Sequence, residues 1–114
     1  NARKVAKSVA CSSLTKAAIF GADANWGRVL CAIGYSGAEV NVDLVGVDFA
    51  SAKGRIAVCR NGAGVPFSEE TAKEILLEDK IIIDITLGDG ASCATAYGCD
   101  LTYEYVRING DYRT

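Results

Sequence analysis

Ile81-Ile82-Ile83-Asp84-Ile85-Thr86-Leu87-Gly88-Asp89-Gly90 decides the fold class. Ile81, Ile83, Ile85 and Leu87 alternate with Asp84 and Thr86, which predicts a strand with one buried and one wetter face. Gly88-Asp89-Gly90 has turn chemistry, and it leads into a second predicted strand from Ala91 to Cys99. A hairpin needs helices or further strands to cover its apolar face, so the flanking sequence must provide them.

Upstream, Ser68 is placed to cap a helix, with Glu69 and Glu70 at its positive end and Ala72, Ile75 and Leu76 facing inward. Phe67 and Ala72 stand at hydrophobic-staple positions. Arg55 to Arg60 reads as a short strand ending in an Asn61-Gly62 turn, and Gly62-Ala63-Gly64 is the most flexible-looking interior point. Val40, Val42 and Leu44 alternate with Asn41 and Asp43, predicting a strand. The apolar phase then shifts to Val45, Val47 and Phe49, which predicts a bulge near Gly46 or a separate strand.

Toward the N-terminus, Ala2, Val5, Ala6, Val9 and Ala10 fall on one helical face, so residues 1 to about 13 read as a helix. Ala17-Ala18-Ile19-Phe20 reads as a short buried strand closed by Gly21. Asp23 or Asn25 caps the next helix, which carries Trp26, Val29, Leu30 and Ile33 and stops near Gly34 and Gly37. Beyond the hairpin, Asp100 or Thr102 starts a final helix with Leu101, Tyr105 and Ile108. The order predicts one α+β domain over residues 1–114, with a mixed or largely antiparallel sheet and helices on one face.

The composition narrows function. The chain has 114 residues, 12 Lys plus Arg against 14 Asp plus Glu, and a net charge of −2. No basic excess is available for a phosphate backbone, so nucleic-acid binding is disfavoured. The longest run of β-branched and leucine-type residues falls far short of the ~20 residues a membrane span needs. No secretory signal opens the chain. The absence of His removes Ser-His and Cys-His nucleophile pairs, and the absence of Met points to a processed product, an excised domain or a trimmed chain. The five cysteines, Cys11, Cys31, Cys59, Cys93 and Cys99, are odd in number and lack CxxC spacing. They read as buried free thiols of a reducing compartment, not as disulfide or zinc ligands.

Gly21-Ala22-Asp23-Ala24-Asn25-Trp26-Gly27-Arg28 is the densest polar cluster. Open amides at a helix start favour anions, but neither the phosphate-loop nor the dinucleotide spacing is present, and a calcium loop fails at Gly34. Capping around a buried Trp is the simpler reading. Ser12 and Ser13 have no base and read as a helix end. Asp84 and Glu104 show no carboxylate mate in sequence, so no acid/base dyad follows. Tyr103, Tyr105 and Tyr112 read as core before pocket lining. The tail Asn109-Gly110-Asp111-Tyr112-Arg113-Thr114 offers an amide and a terminal Thr that could hold an amino acid's ammonium and carboxylate; a frayed end is the competing reading.

Two segments carry a resemblance. Ala17 to Gly21 with Asp23 to Arg28, and Ala94 to Thr102 running into Tyr105 to Asn109 and Asp111 to Thr114, are similar to signatures of the ornithine acetyltransferase (glutamate N-acetyltransferase) family. The similarity spans essentially the whole chain. It implies the C-terminal part of the β chain of an N-terminal-nucleophile-type acyltransferase that cuts itself at an Ala-Thr bond. The freed Thr takes acetyl from N-acetylornithine and passes it to glutamate in arginine biosynthesis, with acetyl-CoA as a donor in some members.

On this resemblance the present chain holds no catalytic residue and no metal or cofactor. Asn109 and Thr114 map to substrate-binding positions. Tyr97 replaces the family's usual Trp and Gly110 its usual Ala. The implied partners are the α chain and the rest of the β chain, in a heterotetramer of two α and two β chains, in the cytoplasm or a mitochondrial matrix. The isolated segment is expected to be inactive. The competing expectations are a non-catalytic amino-acid or protein binding module, and a related amidohydrolase.

Overall fold

A computed structural model describes residues 2–88. Helix α1 (Ala2–Cys11) buries Val5 and Val9, as its periodicity requires. Ser12 then interrupts the expected longer helix. Its hydroxyl accepts from the Thr15 amide and starts a second helix, α2 (Ser13–Phe20). The predicted strand at Ala17–Phe20 is therefore a helix. A four-residue apolar run has no period of its own, and the cap with Leu, Lys and Ala behind it decides the conformation.

Helix α3 (Trp26–Gly34) is capped by Asn25, whose side chain accepts from the Arg28 amide. It buries Val29, Ala32 and Ile33, runs through Gly34, and is followed by Gly37 at φ +78°. The predicted strand over Val40–Leu44 is also corrected. Asn41 accepts from the Asp43 amide and winds Val42–Leu44 into an exposed 3-10 turn. Alternation alone cannot tell that turn from a strand, because its side chains reach water on every side.

The sheet begins at β1 (Gly46–Ser51), a separate strand as one of the two readings had it. It pairs antiparallel with β2 (Gly54–Arg60) and with β4 (Ile82–Thr86), and β2 pairs with the short β3 (Ala63–Gly64). The order is β3-β2-β1-β4. Helix α4 (Glu69–Leu76) starts at the Ser68 cap and packs on β1 and β2. Val47, Phe49, Val58 and Cys59 from the sheet, with Val45 just before it, meet Val5, Val9, Val29 and Ile33 from the helices, and Ala72, Ile75 and Leu76 from α4, in one core. The described part is thus α+β with an antiparallel sheet. The second strand of the predicted hairpin and the final helix lie outside the described residues.

A bulge lies opposite Val47 and Asp48. Val47 pairs with Cys59 and Asp48 with Ala57, so Val58 is an extra residue on β2. Strict alternation would send Val58 inward, Cys59 outward and Arg60 inward. The extra residue lets Val58 and Cys59 both stay buried and turns Arg60 out.

The Gly62-Ala63-Gly64 segment is tightly packed, contrary to its flexible appearance. Asn61 (φ +54°) and Gly62 (φ +74°) form the two-residue connection between β2 and β3, where both central residues need positive φ. The Gly62 amide donates to the Val45 carbonyl at 2.9 Å. A Cβ on Gly62 would sit 2.3 Å from the Val42 carbonyl oxygen, and one on Gly64 would sit 2.4 Å from the Trp26 ring. These glycines are points of close approach.

Candidate functional site

The α2–α3 junction holds the polar cluster that stood out in sequence. The Asp23 amide donates to the Ala18 carbonyl at 2.9 Å, that of Asn25 to the Asp23 carbonyl at 2.8 Å, and that of Trp26 to the Ala24 carbonyl at 3.1 Å. Asn25 is used twice: its carbonyl takes the Arg28 amide at 3.1 Å, and its amide donates to the Asp23 carboxylate at 3.3 Å. Arg28 reaches across to the Leu14 carbonyl at 3.0 Å. Ala22, at φ +53°, is buried within the turn. The amides of Asp23, Asn25, Trp26 and Arg28 are thus already taken, and the junction fastens α2 to α3.

The second polar cluster was missed in sequence. Asp84 does have a carboxylate neighbour: strand pairing sets Asp48 directly opposite it on the face away from the core. Arg55 lies between them, 3.1 Å from Asp48 and 2.8 Å from Asp84, and Arg60 meets the other Asp48 oxygen at 2.7 Å. Partial burial pushes the Asp48 carboxyl up, but hydrogen bonds from Arg60 and Arg55 outweigh this and hold it below its ordinary value. Hydrogen bonds to Asp84 and Asp48 raise Arg55, and one to Asp48 raises Arg60. Two cations are matched to two anions, so the cluster ties β1, β2 and β4 together and is not poised to move a proton. The signal in sequence was the pair of arginines five apart on one strand. Only the register reveals their common target.

The thiols split. Cys59 is buried against the Val45 carbonyl at 3.8 Å, and burial pushes its thiol up. Cys11 and Cys31 are exposed, against the expectation of burial, because each lies on the outer side of its helix. Cys93 and Cys99 lie outside the described residues, as do Asn109 and Thr114, the two expected substrate-binding residues. Ser12 is the α2 cap, as expected of a helix end. Among the described residues no group of three or more Cys, Asp or Glu is arranged to hold a metal, and no helix is long and apolar enough to cross a membrane. Open clefts among the described residues include one of about 460 Å³ beside Leu77 and Ile82 and one of about 370 Å³ beside Leu14 and Tyr35.

Fold and site together define an α+β domain in which the described polar clusters serve to join secondary elements. Comparison with known proteins takes this further. The ArgJ family model matches residues 1–114, and the chain belongs to the ArgJ family. It is 51% identical over 114 residues to the arginine biosynthesis bifunctional protein ArgJ 1 of Clostridium acetobutylicum, and 53% identical over 114 residues to the arginine biosynthesis bifunctional protein ArgJ of Caldanaerobacter subterraneus. All of this chain is covered in both, but only 28% of each relative. The crystal structure of the arginine biosynthesis bifunctional protein ArgJ from Bacillus halodurans superimposes with a TM-score of 0.83 at 48% identity, covering 96% of this chain and 50% of that one.

Proposed function

We propose that the complete protein moves acetyl from N-acetylornithine to glutamate through an acyl-threonine, and that residues 1–114 supply scaffold and part of the substrate pocket. In this scheme a threonine on polypeptide outside this segment attacks the acetyl carbonyl. Its own amine takes the hydroxyl proton and returns it to the departing ornithine. The glutamate amine then attacks the ester and regenerates the threonine. Asn109 and Thr114 hold the amino-acid part of the ligand.

The observation that carries this reading is the match of the whole segment to proteins named for bifunctional roles in arginine biosynthesis, at about half identity. The absence of His from the chain and the burial of the Cys59 thiol fit a nucleophile located elsewhere. The segment is 50% of the solved chain but only 28% of curated relatives, so the solved chain is about half their length. Cleavage into α and β chains, part of the same proposal, fits that ratio. The same reading carries two copies of each chain, no resident cofactor, acetyl-CoA as an optional donor, and a place in the cytoplasm or mitochondrial matrix.

The test is glutamate-dependent release of ornithine from N-acetylornithine by the complete protein. Transfer by the complete protein and none by residues 1–114 alone is the expected result. Transfer by the 114-residue chain alone, or none by the complete protein, overturns it.

A further inference from the structure

We propose that Asn61-Gly62 is a deamidation site that the folded β2–β3 turn holds shut, and that the opening which releases it also bares the Cys59 thiol. An asparagine followed by glycine is chemically labile, because glycine has no side chain to hinder the approach of its backbone nitrogen to the asparagine Cγ. In that reaction the Gly62 nitrogen bonds to Asn61 Cγ, the Cγ–Nδ2 bond breaks, and ammonia leaves with the proton of the Gly62 amide. Water then opens the five-membered imide at one carbonyl or the other, which gives aspartate or its backbone-lengthened isomer. Asn61 is exposed, so water reaches its side chain in the folded protein.

What the fold withholds is the attacking nitrogen. The Gly62 amide donates to the Val45 carbonyl at 2.9 Å, and Val45 is fully buried. To close the ring, that nitrogen must lose its proton and the peptide must turn toward the Asn61 side chain, which breaks this bond. Several contacts oppose the rotation. Arg60 pairs with Ala63 and Cys59 with Gly64, and the Val65 amide donates to the Val58 carbonyl at 3.1 Å. Asn61 at φ +54° and Gly62 at φ +74° fix the peptide in its two-residue turn, and Gly62 packs on the Val42 carbonyl. The Cys59 thiol, also fully buried, donates to the same Val45 carbonyl at 3.8 Å, with the Gly62 amide in reach of its sulfur. The Val45 oxygen is therefore a common anchor. Releasing Gly62 from it uncovers one side of Cys59, so a labile amide outside and a thiol inside depend on one closed turn.

The experiment uses the complete protein in mildly alkaline buffer, folded and in urea above its unfolding transition. Mass spectrometry follows the conversion of Asn61 to acid, and iodoacetamide is applied in parallel to alkylate Cys59. Each folded-state rate is expected to be about a hundredfold or more below that of the unfolded chain. The two ratios are expected to agree within about threefold and to rise together through sub-denaturing urea. Gly64→Ala, whose Cβ would press on the Trp26 ring, loosens β3 and should raise both folded-state rates by the same factor. Where that variant fails to fold, sub-denaturing urea on the unsubstituted protein supplies the same comparison. Deamidation of Asn61 at the unfolded rate in the folded protein overturns the proposal, and so does an Asn61 that stays intact in the unfolded chain. Alkylation of Cys59 that rises while Asn61 remains protected, or the reverse, overturns the shared opening.

Discussion

Replacing Gly62 with alanine tests whether the β2–β3 connection is a close contact or a slack loop. Two costs are expected. Gly62 holds φ +74°, and an L-residue in the left-handed region loses roughly 1–2 kcal/mol. The new Cβ would also lie 2.3 Å from the Val42 carbonyl oxygen and 3.0 Å from its carbon. That neighbour is backbone, held by the Val45 amide donating to the Val42 carbonyl at 3.1 Å, so it cannot swing aside. Overpacking of this kind costs typically 1–3 kcal/mol, and together the two give roughly 2–5 kcal/mol. Gly37→Ala supplies the control. Its φ is +78°, but nothing lies within 4 Å of its Cβ, so only the conformational cost applies. Urea denaturation followed by Trp26 fluorescence, from the one tryptophan of the chain, reads both variants. Equal losses for Gly62→Ala and Gly37→Ala would refute the close contact.

Asp48→Asn should lower stability at pH 7 by about 1–2 kcal/mol, the value of charge-assisted hydrogen bonds discounted for half-exposed arginines. Because the folded carboxyl is held below its ordinary value of 3.8, its contribution is complete above that pH and disappears as the pH falls through the depressed value. The wild-type advantage over Asp48→Asn in urea midpoint should therefore vanish in strong acid. Thr15→Val should leave the unfolding free energy from urea denaturation unchanged or raise it by up to about 1 kcal/mol, since the buried Thr15 hydroxyl has no hydrogen-bond partner among the described residues. Asn25→Ala should cost about 1 kcal/mol through loss of the α3 cap, with Asn25→Ser recovering most of it in the same denaturation assay. In the complete protein, Asn109→Ala should raise KM for the amino-acid substrates; unchanged KM and kcat would remove its binding role.

The elements that were legible in sequence are those with a cap and a period in agreement. Ser68 with Ala72, Ile75 and Leu76, and Asn25 with Val29 and Ile33, each named a helix by two independent signals. Ala17–Phe20 carried only an apolar run. The informative residue was Ser12, which also looks like the end of the helix before it. Val40–Leu44 imitated a strand because Asn41 can wind the backbone with its own side chain, and that competition leaves no trace in hydropathy. The cluster of Asp48, Asp84, Arg55 and Arg60 could not be read at all, since it depends on which residues stand opposite each other across three strands. The family signatures around Asp23–Arg28 were legible as letters. Their physical use, locking α2 onto α3, needed coordinates.

The additional residue at Val58 has a consequence for how this strand can change in length. Deleting Val58 would restore a regular two-residue rhythm with Ile56 and Cys59 inward and Ala57 and Arg60 outward, so the guanidinium would still meet Asp48. Deleting Ala57 instead would move Val58 into its place and leave an aliphatic residue facing water. A relative shortened by one residue here can therefore keep both Asp48 and Arg60, and which residue is lost decides whether the outer face of the strand stays polar.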